Sequence, residues 1–398
     1  MIHPRSLPFL ALLAALVALG GLAIDMYLPA LPTIGAEFAA APDRVQLTMS
    51  IYLLGSAAGQ IIIGPLSDRF GRRPVLIGGF LLFAAASLGA MSAGSVDALI
   101  AWRLLQSVGA AVGGVVAVAV VRDSYPLEGA ARTVAHLSTV IGLSPALAPF
   151  IGGLLLEIFG WRSIFAALAV SGLALAGTVA FGLGETRTDG ARPPANMLAQ
   201  LLHSYATLLR DRRFMAYVLC VSFAFAGLFT FIAGSSYAVI GHWGVPPARF
   251  GLVFAVLPVA FMVGAQLGAV LGRWLTVTHL LTGGVLLCCA AGLALPALYL
   301  LDGGLVAFML PLASYIVGVG IILPQGIACV MADHPQMAGA ASAVAGCAQL
   351  ALSASVAAIA AALSDGTPLA IAVTMALVAP AALVAERVAA LTRRPQPA

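Results

Sequence analysis

Twelve apolar runs account for most of the sequence, and each is long enough to cross a membrane as a helix. A helix needs about 20 apolar residues to cross about 30 Å of hydrocarbon. The runs fall at roughly 8–33, 45–66, 74–93, 96–121, 134–157, 163–183, 213–238, 250–272, 279–300, 304–325, 336–363 and 367–390. Of the 398 residues, 62% are apolar and only 9% are charged, which excludes an ordinary soluble domain. The sequence therefore predicts an all-α polytopic membrane protein with twelve transmembrane helices.

The longest polar stretch separates these runs into six and six. This division predicts an N-terminal half at 1–183, a linker at 184–212 and a C-terminal half at 213–398. Within the linker, positions 198–209 form a short amphipathic segment. The first apolar run is too long for the core of a secretory signal peptide, so we expect it to remain in the mature protein as the first span.

The placement of the arginines predicts the orientation of the chain. All 19 basic residues are arginine, and 15 of them lie in inside segments if the N-terminus is inside. Short inside loops rich in arginine follow the positive-inside rule. We therefore expect both termini and the linker to be cytoplasmic. Cysteines and histidines show no metal-ligand spacing, so we predict no metal site.

The segment from Gly64 to Val75, GPLSDRFGRRPV, is a charged loop between two apolar runs, in a chain where charge is scarce. Asp68 falls near the C-terminus of the second span, where the helix dipole disfavours a negative charge. It therefore needs a basic partner. The candidates are Arg69, Arg72 and Arg73. Gly64 and Gly71 stand where backbones would have to approach or turn. The alternative is a basic loop that only fixes topology.

Asp25 is the only acidic residue that the sequence places well inside a predicted span. A carboxylate there costs about 2.5–3.5 kcal/mol on insertion scales, so it should face the bundle interior or a wet cavity. Pro29 and Pro32 follow within two turns and should loosen the helix just beyond it. We predict a functional carboxylate, and the alternative is an ordinary residue at the membrane boundary.

Two further spans carry unusual residues. Arg103 is the only arginine inside a span, and it either finds acceptors on neighbouring helices or snorkels to the interface. Gln106 follows it by one turn. The fifth span contains Pro145, Pro149, Gly152 and Gly153. Its prolines each remove a backbone hydrogen bond, which predicts a bent or loosened helix that serves either packing or gating.

Several polar and aromatic side chains could line a cavity for a small molecule. They are Tyr27, Tyr52, Gln60, Gln106, Phe223, Phe225, Phe229, Gln266, Gln325 and Gln349. Aromatic stripes in membrane helices more often face lipid or the protein core, which is the alternative here.

Taken together, these motifs resemble the drug/proton antiporter branch of the major facilitator superfamily, in particular the Bcr/CflA-type drug-resistance transporters. The segments that carry the resemblance are 25–32 (DMYLPALP), 64–75, 103–109 and 148–153, with Trp161-Arg162 and the start of the eleventh span. Departures are Ser144 and Ala148 where glycines are usual, and Val17 where some relatives carry a second acid. They leave open the proton stoichiometry and the charge of the preferred substrate.

The resemblance implies two six-helix bundles around a midplane cavity, which work by alternating access. It implies that Asp25 exchanges a proton for substrate and that Arg103 tunes or relays that proton. Asp68 and Arg72 would latch the cytoplasmic side against the start of the eleventh span.

We therefore predict a proton-coupled multidrug efflux transporter for small hydrophobic or amphipathic compounds. The sequence has no cofactor motif, no paired catalytic carboxylates and no nucleotide-binding loop, so we expect no enzymatic activity and no cofactor beyond the proton gradient. The expected partners are drugs or metabolites, protons and the bilayer, without nucleic acid, and we expect a monomer. One alternative is an exporter or proton symporter of a defined metabolite, such as a sugar, nucleoside or amino-acid derivative. Another is a membrane receptor, which would be expected to add a sizeable soluble domain.

Overall fold

Helices make up almost all of the structure, a computed structural model that describes residues 6–125, 127–186, 197–332 and 334–392. In these ranges the α-helices are α1 (Leu7–Asp25), α2 (Leu31–Glu37), α3 (Pro42–Phe70), α4 (Arg72–Met91), α5 (Val96–Ser124), α6 (Leu127–Phe159), α7 (Arg162–Gly182), α8 (Met197–Arg210), α9 (Arg212–Ser236), α10 (Pro247–Phe254), α11 (Val256–Leu271), α12 (Val277–Leu300), α13 (Gly304–Ala332), α14 (Ala338–Ala362) and α15 (Leu369–Leu391). Short 3₁₀ turns lie at Leu28–Ala30 and Pro335–Met337, and a π turn lies at Tyr237–His242.

The predicted twelve-helix membrane fold is confirmed. Eleven helical stretches of the described chain are long and apolar enough to cross a bilayer, and the apolar segment Pro145–Phe159 of α6 supplies a twelfth. Two helices extend furthest beyond the predicted runs. Helix α13 ends at Ala332, whereas its apolar run ends near 325. Helix α6 begins at Leu127, whereas its apolar run begins near 134, because its first turns carry polar residues that lower the local hydropathy.

The chain forms two compact units. The first comprises Met1–Ala195 and Val245–Ala255, and the second comprises Asn196–Gly244 and Val256–Ala398. In the first unit, α5 packs on α1, α3 and α4, and α4 also packs on α7. In the second, α9 packs on α14 and α15, and α12 packs on α13 and α15. Positions 187–196 of the predicted linker lie outside the described residues, and its later part forms α8.

Small residues bring the helices of the first unit into backbone contact. A Cβ atom added to Gly113 of α5 would lie 1.9 Å from the carbonyl oxygen of Leu16 in α1. One added to Gly55 of α3 would lie 1.9 Å from the Ser107 hydroxyl oxygen of α5. Helices that lack a hydrophobic driving force between them associate through such close packing. Glycine therefore fixes the positions of α1 and α3 against α5, the helix that carries Arg103.

Candidate transport site and charged loop

The first membrane span is broken directly after Asp25. Helix α1 ends at this residue, a 3₁₀ turn follows at Leu28–Ala30, and α2 begins at Leu31. Pro29 and Pro32 explain the break, because a proline cannot donate the backbone hydrogen bond that would continue α1. The predicted loosening of the helix beyond Asp25 is confirmed. A broken membrane helix exposes backbone groups and so suits a binding site.

The carboxylate of Asp25 lies inside the first unit. The residue is 5% exposed. Within the described part of the chain, its carboxylate makes no ion pair. A buried, unpaired acid in a membrane span is a candidate for exchanging a proton or binding a cation.

Arg103 is fully buried and lies between two aromatic rings. Its guanidinium carbon is 4.7 Å from the ring centroid of Tyr27 and 4.2 Å from that of Tyr52. The same group donates hydrogen bonds to the carbonyl oxygen of Ala23, at 3.0 Å, and to Oε1 of Gln106, at 2.6 Å. Aromatic faces attract a desolvated cation strongly. The snorkelling alternative for Arg103 is therefore wrong.

Tyr27 and Tyr52 form an aromatic cage around Arg103, and hydrogen bonds hold its members in place. The Tyr52 hydroxyl donates to the carbonyl oxygen of Gly20 at 3.1 Å. The Tyr27 hydroxyl shares a hydrogen bond with the Thr48 hydroxyl at 3.1 Å, and Nε2 of Gln106 donates to the Ser87 hydroxyl at 2.7 Å. Groups on three helices besides α5, namely α1, α3 and α4, thus hold the side chains that surround the arginine.

Asp25 and Arg103 lie on neighbouring parts of the site without forming an ion pair. The guanidinium binds the carbonyl oxygen of Ala23, two residues before Asp25. It therefore contacts the last turn of α1, at whose end the carboxylate stands. An influence of Arg103 on the proton at Asp25 stays a prediction.

Helix α6 packs against the break in the first span. A Cβ atom at Gly152 would lie 2.0 Å from the carbonyl oxygen of Met26, the residue that follows Asp25. Gly153 and Pro149 are also buried, and Pro145 is half-buried, while the helix continues through both prolines. The structure thus brings the predicted glycine motif of α6 into contact with the predicted proton site.

The charged loop contains a network centred on Arg72. Its NH1 group contacts Oδ1 of Asp68 at 2.5 Å and donates to the Ser67 hydroxyl at 2.7 Å. Its Nε group contacts Oδ2 of Asp123 at 3.0 Å. The prediction that Asp68 pairs with a nearby arginine is confirmed, and that arginine is Arg72. Sequence reasoning missed Asp123, although an excess of arginines over acids in the loop indicated a missing partner.

The carboxylate of Glu185 binds the backbone at the start of α4. The backbone N–H groups of Arg72 and Arg73 donate to Oε1 and Oε2 of Glu185, at 2.9 and 3.2 Å. Negative charge is favourable at this end of a helix. Gly71 has φ +97°, and a Cβ atom there would lie 2.5 Å from Glu185. Glycine at 71 is therefore required both by the turn and by the acid.

The remaining residues of the loop have different roles. Arg73 donates to the carbonyl oxygen of Ala180 near the end of α7. Arg69 is exposed and stacks on Phe70, with 5.3 Å between its guanidinium carbon and the ring centroid. Gly64 is helical, and an added Cβ would meet no described atom within 4 Å. The expected close approach at Gly64 is therefore wrong in this conformation.

The residues predicted to line a cavity differ in burial. Gln60, Phe223, Phe225, Gln325 and Gln349 are half-buried, Phe229 is buried and Gln266 is exposed. In the second unit, α9, α13 and α14 line a cavity of about 100 Å³. Its described lining combines mainly apolar side chains, such as Val218 and Ile327, with Ser342 and Gln349. Of the predicted cavity residues, that lining includes Gln349.

Sequence reasoning also missed a buried acid in the second unit. Glu386 of α15 is 2% exposed, and its Oε1 accepts a hydrogen bond from the Thr282 hydroxyl at 2.7 Å. Its other oxygen lies 3.5 Å from Nε of Arg387. Asp25 is therefore not the only acid buried in a span. Glu386 was overlooked because it stands next to an arginine near the end of an apolar run, where acids are usually exposed.

The fold and the site have counterparts among known proteins. The family model described as "Major Facilitator Superfamily" matches residues 13–358. The chain belongs to this superfamily. Its relatives include the "Multidrug resistance protein D" of Escherichia coli, 32% identical, with 87% of this chain and 86% of the relative covered. Another is the "Bicyclomycin resistance protein homolog" of Haemophilus influenzae, 29% identical, with 87% of each covered.

Solved structures of facilitators share the fold. A crystal structure of the peptide transporter POT superposes with a TM-score of 0.76 at 17% identity, and 97% of this chain and 94% of that one are covered. At this identity the likeness concerns the fold alone. The sequence relatives place this facilitator in the Bcr/CflA-type drug-resistance branch, as the motifs predicted.

Proposed function

We propose that this facilitator exports small hydrophobic or amphipathic drugs from a bacterium and that proton entry drives the export. The observation that carries the proposal is the buried Asp25 at the break of the first span, beside the last turn of α1 that Arg103 binds. An acid at this position can hold a proton or a cationic group in turn, which is the requirement for exchange. The named drug-resistance relatives support a drug as the exchanged substrate.

The surroundings of Asp25 suit such an exchange. Because the helix is broken, the backbone that follows the carboxylate is irregular. The guanidinium of Arg103, held in its aromatic cage, supplies a fixed positive charge close by. A fixed cation that is not paired with the acid leaves the carboxylate available to other ligands. We further propose that the charged loop centred on Arg72 stabilises one state of an alternating-access cycle, and that the chain lies in the inner membrane with both termini cytoplasmic.

Efflux measurements test the proposal. Ethidium and chloramphenicol efflux is followed in an efflux-deficient bacterial host that produces the wild type, Asp25→Asn or Asp302→Asn, with and without a protonophore. Asp302 is an exposed loop residue with φ +56°, which Asn also adopts readily, so its variant is a matched control. Expression of each variant in the membrane is quantified in parallel.

We expect wild-type and Asp302→Asn efflux to be equal and to stop with the protonophore. Asp25→Asn should lose efflux at unchanged expression. Efflux that persists in Asp25→Asn would disprove the assignment of the proton site but keep drug export. If the wild type exports neither compound, drug export itself fails for these substrates, and the metabolite-transporter alternative gains support.

A further inference from the structure

Helix α8 lies directly beside a membrane span. A single residue, Asp211, separates Arg210 at its end from Arg212 at the start of α9. Asp211 caps α9, since its Oδ1 accepts hydrogen bonds from the backbone N–H groups of Arg213 and Phe214, at 2.9 and 3.2 Å. Because α9 crosses the bilayer and the joint is so short, α8 is held at the membrane surface.

One side of α8 packs on its own unit. The helix contacts α9 and α14. Leu208 is fully buried, and Tyr205, three residues earlier on the same face, is half-buried. This face attaches α8 to the protein, and the opposite side of the helix is exposed.

A second apolar stripe on α8 is exposed. Leu202, Ala206 and Leu209 are separated by four and three residues, so they share one face of the helix. Leu202 is 57% exposed and Leu209 is 56% exposed. Large apolar side chains on one face, next to a face that already packs on protein, indicate a further apolar neighbour.

A polar stripe borders this apolar stripe. His203, Thr207 and Arg210 have the same four-and-three spacing and are all exposed, and Arg212 is exposed just beyond them. The acid within 202–212 is Asp211, which is engaged in capping α9 and in contact with His334. The exposed charge of this segment is therefore positive. An apolar stripe flanked by basic residues is typical of helices that lie in a membrane interface.

We propose that α8 binds anionic phospholipids of the leaflet at which α9 begins. The stripe of Leu202, Ala206 and Leu209 enters the boundary between headgroups and acyl chains, and Arg210 and Arg212 bind the lipid phosphates. The bilayer is the apolar neighbour that the position of α8 supplies, and the basic flank selects negatively charged headgroups. This proposal rests on the membrane fold and is independent of the proposed export activity.

Fluorescence quenching tests the position of the helix. Leu202→Trp and Thr207→Trp are made in the full-length protein after its four native tryptophans are replaced by Phe. Each protein is reconstituted into phosphatidylcholine vesicles with brominated acyl chains, with or without phosphatidylglycerol. The two sites are five residues apart and lie on different stripes, so Thr207→Trp is the matched control. We expect strong quenching at 202, further increased by phosphatidylglycerol, and weak quenching at 207.

The arginines test the choice of lipid. Arg210→Gln and Arg212→Gln should each weaken the phosphatidylglycerol dependence about fivefold, the effect expected for one basic residue near an anionic surface. Equal quenching at 202 and 207 would overturn the membrane position. Quenching at 202 that ignores both phosphatidylglycerol and the arginine substitutions would overturn the anionic-lipid assignment.

Hydrogen–deuterium exchange of the unmodified protein provides a measurement that needs no substitution. Amides of residues 202–210 should exchange more slowly in vesicles that contain phosphatidylglycerol than in phosphatidylcholine alone. The loop 364–367, which lies between α14 and α15, serves as an internal reference. Identical exchange of 202–210 in both lipids would contradict the proposal even if the tryptophan variants failed to fold.

Discussion

The aromatic cage around Arg103 allows a quantitative prediction. Tyr52→Leu removes a ring that lies 4.2 Å from the guanidinium carbon and also removes the hydroxyl that donates to Gly20. Tyr52→Phe removes the hydroxyl but keeps the ring face. The pair of variants therefore separates the cation–π contact from the hydrogen bond.

Physical estimates give each variant a different loss in the free energy of unfolding. Loss of a buried hydrogen bond costs about 1 kcal/mol, which is the expected destabilisation for Tyr52→Phe. A desolvated cation–π contact contributes about 2 kcal/mol, so Tyr52→Leu should cost about 3 kcal/mol in all. Each compact unit holds about 200 residues, a size at which 1 kcal/mol shifts the Tm by about 2–4 °C. We expect Tm losses of about 2–4 °C for Tyr52→Phe and about 6–12 °C for Tyr52→Leu.

Thermal unfolding of the purified protein, followed by tryptophan fluorescence, measures these shifts. A double-mutant cycle with Arg103→Met isolates the contact between the two side chains. The expected coupling energy is about 2 kcal/mol for Tyr52→Leu and near zero for Tyr52→Phe.

Two results would refute this reasoning. Equal Tm losses for the Phe and Leu variants would show that the ring face does not stabilise the arginine. A coupling energy near zero in the Leu cycle would show that any loss comes from packing alone.

Two further predictions concern stability. Asp211→Ala should destabilise α9 by about 1 kcal/mol, because a helix cap is lost. Burial raises the pKa of Asp211, but hydrogen bonds from Phe214, His334 and Arg213 outweigh it and lower that pKa below its ordinary value of 3.8. The charge of the cap therefore stabilises the fold above pH 4, and this stabilisation is lost as the pH falls through the lower native pKa. Tm measurements over a pH series, compared between the wild type and Asp211→Asn, check this prediction. Gly152→Ala should lower the Tm markedly, because its Cβ would lie 2.0 Å from the Met26 carbonyl oxygen. The control Gly64→Ala meets no described atom within 4 Å and should leave the Tm unchanged or raise it slightly; equal losses for both would contradict the close-packing argument.

Local sequence patterns predicted the parts of the site that depend on neighbours along the chain. The break after Asp25 follows from Pro29 and Pro32, and the pairing of Asp68 with Arg72 joins residues one helical turn apart in numbering. In both cases the decisive groups lie within a few residues of each other. Backbone chemistry and short-range charge therefore determine the outcome.

Contacts between distant segments could not be predicted in this way. The rings on Arg103 belong to α3 and to the turn after α1, and Glu185 reaches the start of α4 from more than a hundred positions away. Periodicity identifies a buried face but does not say which side chain of another helix lies opposite. Gly64 shows the converse limit, because its place in a glycine-rich motif indicated crowding that the described structure does not contain.

Recognition of α4 by Glu185 has a consequence for how this loop can diverge in evolution. The acid accepts hydrogen bonds from the backbone amides of residues 72 and 73, not from their side chains. Every amino acid except proline supplies such an amide. Substitutions at 73 can therefore accumulate without loss of this anchor, whereas a proline at either position, or any residue other than glycine at 71, would remove it in a single step.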